Sequence, residues 1–431
     1  SKMLKVSFYT YFYSYCEREY MYHLLSESFL EIDSELKECL INGTIENIPS
    51  DITSLLAEKG FLVEQDRNEV ESIRYADIVK RYQSKLMRLT ILPTINCNFR
   101  CWYCYETHKY SRMSKEQANC IFEFLKKEIT EKHLTSLVVD RFGGEPLLCF
   151  DNIIYPFSKK VKKWCAENDV IFYQSITTNA SLIDDKMVDR MNEIGLNQFQ
   201  ITLDGGKEDH NEVRKSKAMP NSYDVIVKNI HSLCRKITNV SMVVRINYTP
   251  DNIDRAMTIL DAFDYDIRNK IQISPHIVWQ KANENEMILD KVVALKEKAI
   301  AKGYIVNLDT SIRRCVTCYT DNMEQFVVNY DLHVYKCTAR DFNDKFSIGI
   351  ISEKGEFKPN NLFYKYYVTP SSFLSEKCLD CNLLPCCMNA NTCLQKSIEG
   401  KVVRCSKEQI ERDLNKSLTN KILAYENTKS N

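Results

Sequence analysis

Three cysteines within eight residues, Cys97, Cys101 and Cys104, form the stretch of this chain best suited to chemistry. They follow an apolar run over residues 86–95 that predicts a buried strand, and a loop leaving a strand end can gather three thiolates around one point. Three thiolates leave a four-iron cluster one ligand short, so the fourth iron could bind a substrate or cofactor. The alternatives are a zinc site without its fourth ligand, or cysteines of the core. Zinc sites usually show a second Cys-x2-Cys pair, which is absent nearby, so the spacing favours iron and sulfur.

The composition sets broad limits on partners and location. The chain has 431 residues, 44% of them hydrophobic, and carries no net charge, which predicts about two to three domains. A neutral chain gives no indication of binding nucleic acid or an anionic membrane. It has neither an apolar run long enough to span a bilayer nor a signal-peptide pattern, so we expect a cytoplasmic protein without a membrane segment.

The chain has 18 cysteines, and without a secretion signal these indicate metal ligands more than disulfides. Nine of them lie between Cys315 and Cys405, and three form the motif described above. The other six are scattered singly, and we expect them to be small buried side chains.

Apolar runs alternate with amphipathic helical patterns between residues 86 and 303, and Ser114 can cap the first of these helices. Predicted strands cover residues 86–95, 137–142, 170–177, 198–203, 240–248 and 271–279. Six such β-α units predict parallel strands with right-handed crossovers, in a barrel or half-barrel. The active site of such a fold lies at the C-terminal strand ends.

Polar or glycine-rich residues lie at the ends of five of the predicted strands. These are the cysteine motif, Gly143-Gly144-Glu145, Thr178-Asn179, Thr202 with Asp204, and Arg245 with Asn247. The two glycines let the backbone approach a ligand closely, Glu145 could accept hydrogen bonds from an ammonium group, and Thr178 and Asn179 suit the hydroxyls of a ligand. Asp204 could contact a ligand or serve as a turn residue before Gly205.

The cysteine motif, with the aromatic Tyr103 before its last cysteine, resembles the signature of the radical S-adenosylmethionine (radical SAM) enzymes. The resemblance implies a partial (β/α)6 barrel in which the open iron of a [4Fe-4S] cluster chelates SAM, and one electron cleaves SAM to a 5′-deoxyadenosyl radical. It also implies that the glycine-rich segment binds the amino group of SAM and that Tyr103 lies near adenine. Gly144, Thr202 and Arg214 match positions that touch SAM in similar enzymes.

The C-terminal cysteines resemble the SPASM domain, which carries two auxiliary [4Fe-4S] clusters in peptide-modifying radical SAM enzymes. The ligand sets that this resemblance implies are Cys315, Cys318, Cys337 and Cys393 for one cluster, and Cys378, Cys381, Cys387 and Cys405 for the other. Eight thiolates are the number that two clusters need. The chain departs from the usual pattern in three ways: Leu332 replaces a glycine, five residues rather than three precede Cys393, and Cys386 adjoins Cys387 and could replace it. One or two zinc sites remain the alternative.

Residues 1–84 combine predicted strands, among them residues 6–15 and 20–32, with short helices, which suggests a winged-helix-like module. DNA binding is disfavoured, because residues 1–82 carry nine Lys and Arg against fifteen Asp and Glu, a net charge of −6. The segment, including residues 60–64, resembles the module with which radical SAM peptide maturases bind the leader of a precursor peptide as an added strand. A purely structural cap on the barrel is the alternative.

The sequence thus predicts a leader-recognition module over residues 1–84, a radical SAM partial barrel over 85–305, a SPASM domain over 306–405, and a C-terminal helix and tail over 406–431. The resemblance implies a monomeric maturase of a ribosomally made peptide, reduced by flavodoxin or ferredoxin, that forms a thioether or another oxidative crosslink. The catalytic base is not identified. A sulfatase maturase, which forms formylglycine, is the alternative enzyme; that group places an aspartate where this chain has Thr338, with Asp341 displaced. A non-catalytic iron–sulfur or zinc scaffold that binds a peptide is the alternative of another class.

Overall fold

The structure is a computed structural model that describes residues 3–281, 286–307, 318–339, 342–368, 375–387, 405 and 407–429. The chain divides into two units by its internal packing. The first comprises residues 1–84, 308–323 and 365–431, and the second comprises residues 85–307 and 324–364. No helix within the described residues combines the length and apolar character needed to cross a membrane.

The N-terminal part of the first unit contains small antiparallel sheets and three helices. Its elements are β1 (Leu4–Val6), β2 (Thr10–Tyr15), β3 (Arg18–His23), β4 (Phe29–Ile32), α1 (Ser34–Asn42), α2 (Ser50–Glu58), β5 (Leu62–Glu64) and α3 (Glu69–Tyr82). Strands β2, β3 and β4 form one sheet in that order, and β1 pairs with β5. Two stretches predicted as single strands are each divided. A turn in which Thr10 N–H donates to Ser7 C=O separates β1 from β2, and Glu27, at a φ of 58°, lies in the turn between β3 and β4.

The second unit contains the six predicted parallel strands, which lie in the sheet in chain order. They are β6 (Leu86–Leu92), β7 (Ser136–Arg141), β8 (Ile171–Thr178), β9 (Gln198–Asp204), β10 (Ser241–Tyr248) and β11 (Ile271–Ile277). The predicted strand spacing is therefore confirmed. The two-residue strand β12 (Ile305–Val306) adds to β11 in parallel.

Helices cross between these strands. They are α4 (Lys115–Glu131), α5 (Tyr155–Glu167), α6 (Asp185–Ile194), α7 (Lys207–Val213), α8 (Ser222–Lys236), α9 (Ile253–Ala256), α10 (Tyr265–Arg268) and α11 (Glu286–Ala301). Helix α4 begins where the sequence predicts, because Ser114 and Gln117 form a reciprocal capping box. The strands carry apolar side chains that helices cover, and Ile201, Leu203, Val244 and Ile246 are fully buried in this core.

A hairpin after residue 324 extends the same sheet. Strand β13 (Gln325–Asn329) pairs in parallel with β6, and β14 (His333–Tyr335), β15 (Gly349–Ile351) and β16 (Phe357–Pro359) continue it as antiparallel strands. The result is an eleven-stranded sheet that runs from β12 to β16, and these two end strands do not pair with each other among the described residues. The barrel is therefore open, in agreement with the predicted partial barrel.

The remaining helices are α12 (Asn361–Val368), α13 (Glu376–Leu379) and α14 (Lys407–Lys429). Helix α14 is amphipathic as predicted. Its Leu414 and Leu418 are buried with Tyr9, Tyr22 and other residues of the first unit. Tyr11 O–H of β2 also donates to Asn415 Oδ1 over 2.8 Å.

Candidate active site at the cysteine loop and strand ends

The three-cysteine loop leaves the C-terminal end of β6 and is fixed by backbone hydrogen bonds to the segment after β7 and to the segment after α7. Asn96 C=O accepts from Glu145 N–H over 2.8 Å, and Arg100 N–H donates to Lys215 C=O over 2.9 Å. Phe99 between the first two cysteines is buried in the barrel core. One apolar side chain and two backbone contacts therefore hold the loop that carries the thiols.

The thiols of Cys97, Cys101 and Cys104 are partly exposed, and burial raises the pKa of all three. The pKa of Cys97 rises to about 12, with a further contribution from Glu145, and that of Cys104 rises to about 11. A metal must therefore displace protons from these sulfurs when it binds. Two N–H groups point at Cys97 Sγ: the Phe99 amide at 3.4 Å and Asn179 Nδ2 at 3.9 Å. Such donors stabilise a sulfur that carries negative charge.

The donor set fits a four-iron cluster. The thiols of Cys97, Cys101 and Cys104 are all free and partly exposed. A single zinc ion needs its sulfur ligands about 2.3 Å from one centre, whereas a four-iron cluster takes each thiolate on a different iron, so its ligands stand farther apart. Three thiols on one loop can hold such a cluster and leave one iron for a further ligand.

The two glycines after β7 let this strand end pack against the cysteine loop. Gly143 has a φ of 100°, in the region that favours glycine. A Cβ added to Gly144 would lie 2.0 Å from Asn96 C=O oxygen and 2.6 Å from Ile95 C=O oxygen. In the structure Gly144 therefore approaches the loop before Cys97 closely. The approach of these glycines to a ligand stays a prediction.

Glu145 is fully buried and binds neighbouring strand ends through its carboxylate. The carboxylate accepts from Thr178 Oγ1 at 2.7 Å, Asn179 N–H at 2.7 Å and Leu147 N–H at 3.0 Å. Burial raises the pKa of Glu145, and these donors oppose the shift. Both oxygens are therefore engaged within the chain, and a contact between Glu145 and an ammonium group stays a prediction.

Asn179 at the end of β8 belongs to a hydrogen-bonded group that includes two residues not singled out from the sequence, Asn98 and Ser181. Asn179 Nδ2 donates to Asn98 Oδ1 over 2.8 Å, and Asn98 Nδ2 donates to Ser181 Oγ over 2.9 Å. Asn179 Oδ1 in turn accepts from Ser181 Oγ. This group ties the residue after Cys97 to β8, and Asn98 could have been noticed only as a polar residue within the motif.

Tyr103 joins the loop to the ends of β9 and β10. Its hydroxyl donates to Asp204 Oδ2 over 2.7 Å and accepts from Arg214 Nη1 at 3.0 Å and Asn247 Nδ2 at 3.1 Å. Arg214 also faces Asp204, with 3.6 Å between Nη1 and Oδ2. Burial raises the pKa of Asp204, and Arg214 opposes that shift. Asp204 is therefore more than a turn residue, because its carboxylate accepts a hydrogen bond from the Tyr103 hydroxyl of the cysteine loop.

Three buried polar atoms beside this network have no hydrogen-bond partner among the residues that the structure describes: Asp204 Oδ1, Arg214 Nε and His210 Nε2. Buried polar groups are nearly always paired, so these atoms fit a site that takes a polar ligand. Thr202 lies beside them, partly exposed and opposite Arg245 in the β9–β10 register. His210, which is fully buried in α7, was not identified from the sequence.

We expect Tyr103→Phe to destabilise the second unit. The change removes the partner of a buried carboxylate, a guanidinium and an amide, and leaving such groups unpaired costs about 1–3 kcal/mol. The measurement is the midpoint of thermal unfolding. Tyr110→Phe is the control, because Tyr110 is 83% exposed and on the same loop. Equal midpoints for the two variants would contradict the role of the phenol.

The C-terminal cysteines are described only in part. Cys378 and Cys381 lie in one turn at the end of α13, where Cys381 N–H donates to Cys378 C=O. Cys318 and Cys387 are partly exposed, and Cys405 is exposed. These five belong to the first unit, and Cys337, which follows β14, belongs to the second. The predicted ligands Cys315 and Cys393, and also Asp341, lie outside the described residues.

Two of the departures from the SPASM pattern lie within the described residues, where the backbone conformation of Leu332 and the burial of Cys386 can be seen. Leu332, which stands where a glycine is usual, has a φ of 70°, a conformation that a glycine adopts without strain. Cys386 is buried, whereas its neighbour Cys387 is partly exposed. Thr338, which stands where sulfatase maturases place an aspartate, accepts a hydrogen bond from Tyr105 O–H at its carbonyl.

Comparisons with known proteins agree with this geometry. The family model of the radical SAM superfamily matches residues 91–262. A cysteine-type anaerobic sulfatase-maturating enzyme of Clostridium novyi (strain NT) is 26% identical over 337 residues, which cover 70% of this chain and 87% of that protein. A GTP 3′,8-cyclase of Clostridium botulinum (strain Okra / Type B1) is 27% identical over 226 residues, which cover 51% of this chain and 66% of that protein.

Among solved structures, native anSMEcpe with bound AdoMet and Cp18Cys peptide is similar in fold. It superposes with a TM-score of 0.57 at 18% identity, over 80% of this chain and 99% of that one. The matched family segment holds the three-cysteine loop and the ends of β7 to β10. The matched segment, residues 91–262, is therefore a radical SAM domain.

Proposed function

We propose that this protein is a radical SAM maturase of a ribosomally made peptide. The observation that carries the proposal is the cysteine loop, which polar groups at four strand ends hold in place. Beside it lie buried polar atoms that have no hydrogen-bond partner among the described residues. A [4Fe-4S] cluster on Cys97, Cys101 and Cys104, with SAM on its fourth iron, would supply a 5′-deoxyadenosyl radical that abstracts hydrogen from the peptide. Tyr103, Arg214 and Asp204 would position the cofactor at the ends of β9 and β10, with Thr202 beside them.

A peptide substrate is supported by two relatives. One is named a sulfatase-maturating enzyme, and the other is described with a bound Cp18Cys peptide. In this chain, β4 has a neighbour on one side only among the described residues, since the sheet order is β2-β3-β4. A leader peptide could add to β4 as a further antiparallel strand, with the main chain supplying the hydrogen bonds.

Two auxiliary [4Fe-4S] clusters are proposed on the eight C-terminal cysteines given above. The turn that places Cys378 and Cys381 together supports one of them. We assign Cys387 rather than Cys386 as its third ligand, because Cys386 is buried among Leu383, Leu384 and other apolar side chains. Such clusters could accept the electron left on a substrate radical or bind a substrate thiolate. We further propose a cytoplasmic monomer that receives electrons from flavodoxin or ferredoxin.

A sulfatase maturase is the second candidate, and the similarity to the Clostridium novyi enzyme favours it. Against it stand the N-terminal module and Thr338 at the position of the usual aspartate. The two candidates predict different products. A crosslinking maturase removes two hydrogen atoms from its peptide and leaves no free aldehyde, whereas formylglycine reacts with a hydrazide probe.

The test is anaerobic incubation of the full chain with SAM, a reductant and candidate precursor peptides from neighbouring reading frames, followed by mass spectrometry. We expect a product that has lost two hydrogens, formed from a precursor with its leader and much more slowly from the core peptide alone. A hydrazide-reactive product from a sulfatase peptide would favour the second candidate. A precursor that is modified equally without its leader would contradict leader recognition.

Iron content tests the proposed auxiliary clusters. We expect about twelve irons per chain in the reconstituted protein and about eight in the double variant Cys378→Ala, Cys381→Ala. The double variant Cys16→Ser, Cys39→Ser is the control, since it removes two cysteines with no assigned ligand role. About four irons per chain in the unaltered protein would refute both auxiliary clusters.

A further inference from the structure

Tyr9 has a buried hydroxyl group that the described fold leaves without a partner. The residue lies between β1 and β2 and is completely buried. Its backbone is paired, because Leu24 N–H donates to Tyr9 C=O over 3.0 Å and Tyr9 N–H donates to Ser7 Oγ over 3.3 Å. The phenol oxygen, in contrast, has no hydrogen-bond partner among the described residues. A buried hydroxyl without a partner is costly, and phenylalanine would fill the same space without that cost.

The surroundings of Tyr9 include the turn that carries two proposed cluster ligands. Tyr9 belongs to an apolar core with Leu383, Leu384 and Cys386, and the side chains of Cys378 and Cys381 pack against this core. The N-terminal module and the segment that holds the turn are therefore packed together within the first unit.

No carboxylate of the described residues accepts from this hydroxyl. The buried carboxylate of Glu69 binds the neighbouring residues instead, accepting from Ser7 Oγ and from Phe8 N–H. The other acceptor chemistry that the surroundings offer is sulfur. Cluster sulfides and cysteine thiolates accept hydrogen bonds, and such bonds help to set the reduction potential of the cluster.

We propose that Tyr9 O–H donates a hydrogen bond to a sulfur of the auxiliary cluster held by Cys378 and Cys381, and that the N-terminal module thereby tunes the potential of this cluster. The inference depends on the proposed auxiliary cluster. A donor to sulfur stabilises the reduced cluster, which carries more negative charge, and so raises its reduction potential. Tyr9 acts here through the cluster and contacts no substrate.

The test compares Tyr9→Phe with the unaltered full chain by anaerobic redox titration, with electron paramagnetic resonance as the readout. We expect the reduction potential of one auxiliary cluster to fall. The equilibrium constant for its reduction should decrease by about threefold to tenfold, which is the effect of losing one hydrogen bond. A tenfold shift corresponds to about 59 mV for one electron. Tyr11→Phe is the matched control, since it removes a hydroxyl that donates to Asn415 Oδ1, and we expect no change in potential.

A second substitution keeps the inference testable if the Tyr9→Phe protein fails to take up iron. 3-Fluorotyrosine at position 9 keeps the hydroxyl and makes it a more acidic donor, so the potential should rise. Unchanged potentials in a Tyr9 variant with full iron content would overturn the inference. About four irons in the unaltered chain would instead refute the auxiliary clusters themselves, and the inference would fall with them for that separate reason.

Discussion

Replacing Cys101 with alanine is expected to abolish SAM cleavage and to remove about four irons per chain. Cys101 is the middle thiol of the loop after β6, and two remaining thiols cannot hold a cluster that also binds SAM. Its neighbours are already fixed, since Tyr103 contacts Asp204 and Phe99 is buried in the core. We therefore expect this variant to lose the cluster while its barrel stays folded.

The control for this experiment is Cys165→Ala. Cys165 is a buried thiol of α5 in the same unit and has no assigned ligand role. We expect this variant to keep its iron and its rate of 5′-deoxyadenosine formation, at a modest cost in stability. A Cys101→Ala protein that retained the activity and the full iron content would show that the three-cysteine loop is not the site of SAM cleavage.

Gly144→Ala is expected to abolish activity through the backbone and without removing any ligand. The new Cβ would lie 2.0 Å from the carbonyl oxygen of Asn96, the residue before Cys97. Because backbone lies on the other side of this contact, neither partner can turn away, and the loop must shift. We expect iron in the loop cluster and 5′-deoxyadenosine formation to fall together to background.

Gly43→Ala separates this clash from the general cost of losing a glycine. Gly43 has a φ of 70° after α1, and nothing lies within 4 Å of the Cβ that alanine would add. The left-handed conformation alone should cost about 1–2 kcal/mol, with iron content and activity unchanged. Wild-type activity in the Gly144→Ala protein would contradict the packing of β7 against the cysteine loop.

The arrangement of the barrel was predictable because its strands and helices differ in the period of their apolar residues. Runs such as residues 198–203 and 240–248 correspond closely to β9 and β10, and Ser114 caps α4 as its sequence predicts. The addition of β13 to β6 was not predictable. That pairing joins residues more than two hundred positions apart, and no local pattern specifies which strand edge a later hairpin will join.

The site was predictable as a set of residue types but not as a network. The sequence places Asp204 and Asn247 near the ends of neighbouring strands and Arg214 in the segment between those strands. Their meeting at the hydroxyl of Tyr103 depends on side-chain directions that spacing does not give. Glu145 shows the same limit. The sequence gives no sign that both of its carboxylate oxygens accept hydrogen bonds within the chain, as they do in the structure. Whether a polar side chain serves a ligand or its own fold depends on the tertiary neighbours that satisfy it.

The central claim is that the loop of Cys97, Cys101 and Cys104 makes this protein a SAM-cleaving enzyme. The most direct test is to reduce the reconstituted full chain without oxygen in the presence of SAM and to measure 5′-deoxyadenosine, with the Cys101→Ala protein as the blank. We predict that the unaltered chain forms 5′-deoxyadenosine well above that blank. Equal amounts from the two proteins, with the loop cluster shown to be present in the unaltered chain, would contradict the claim.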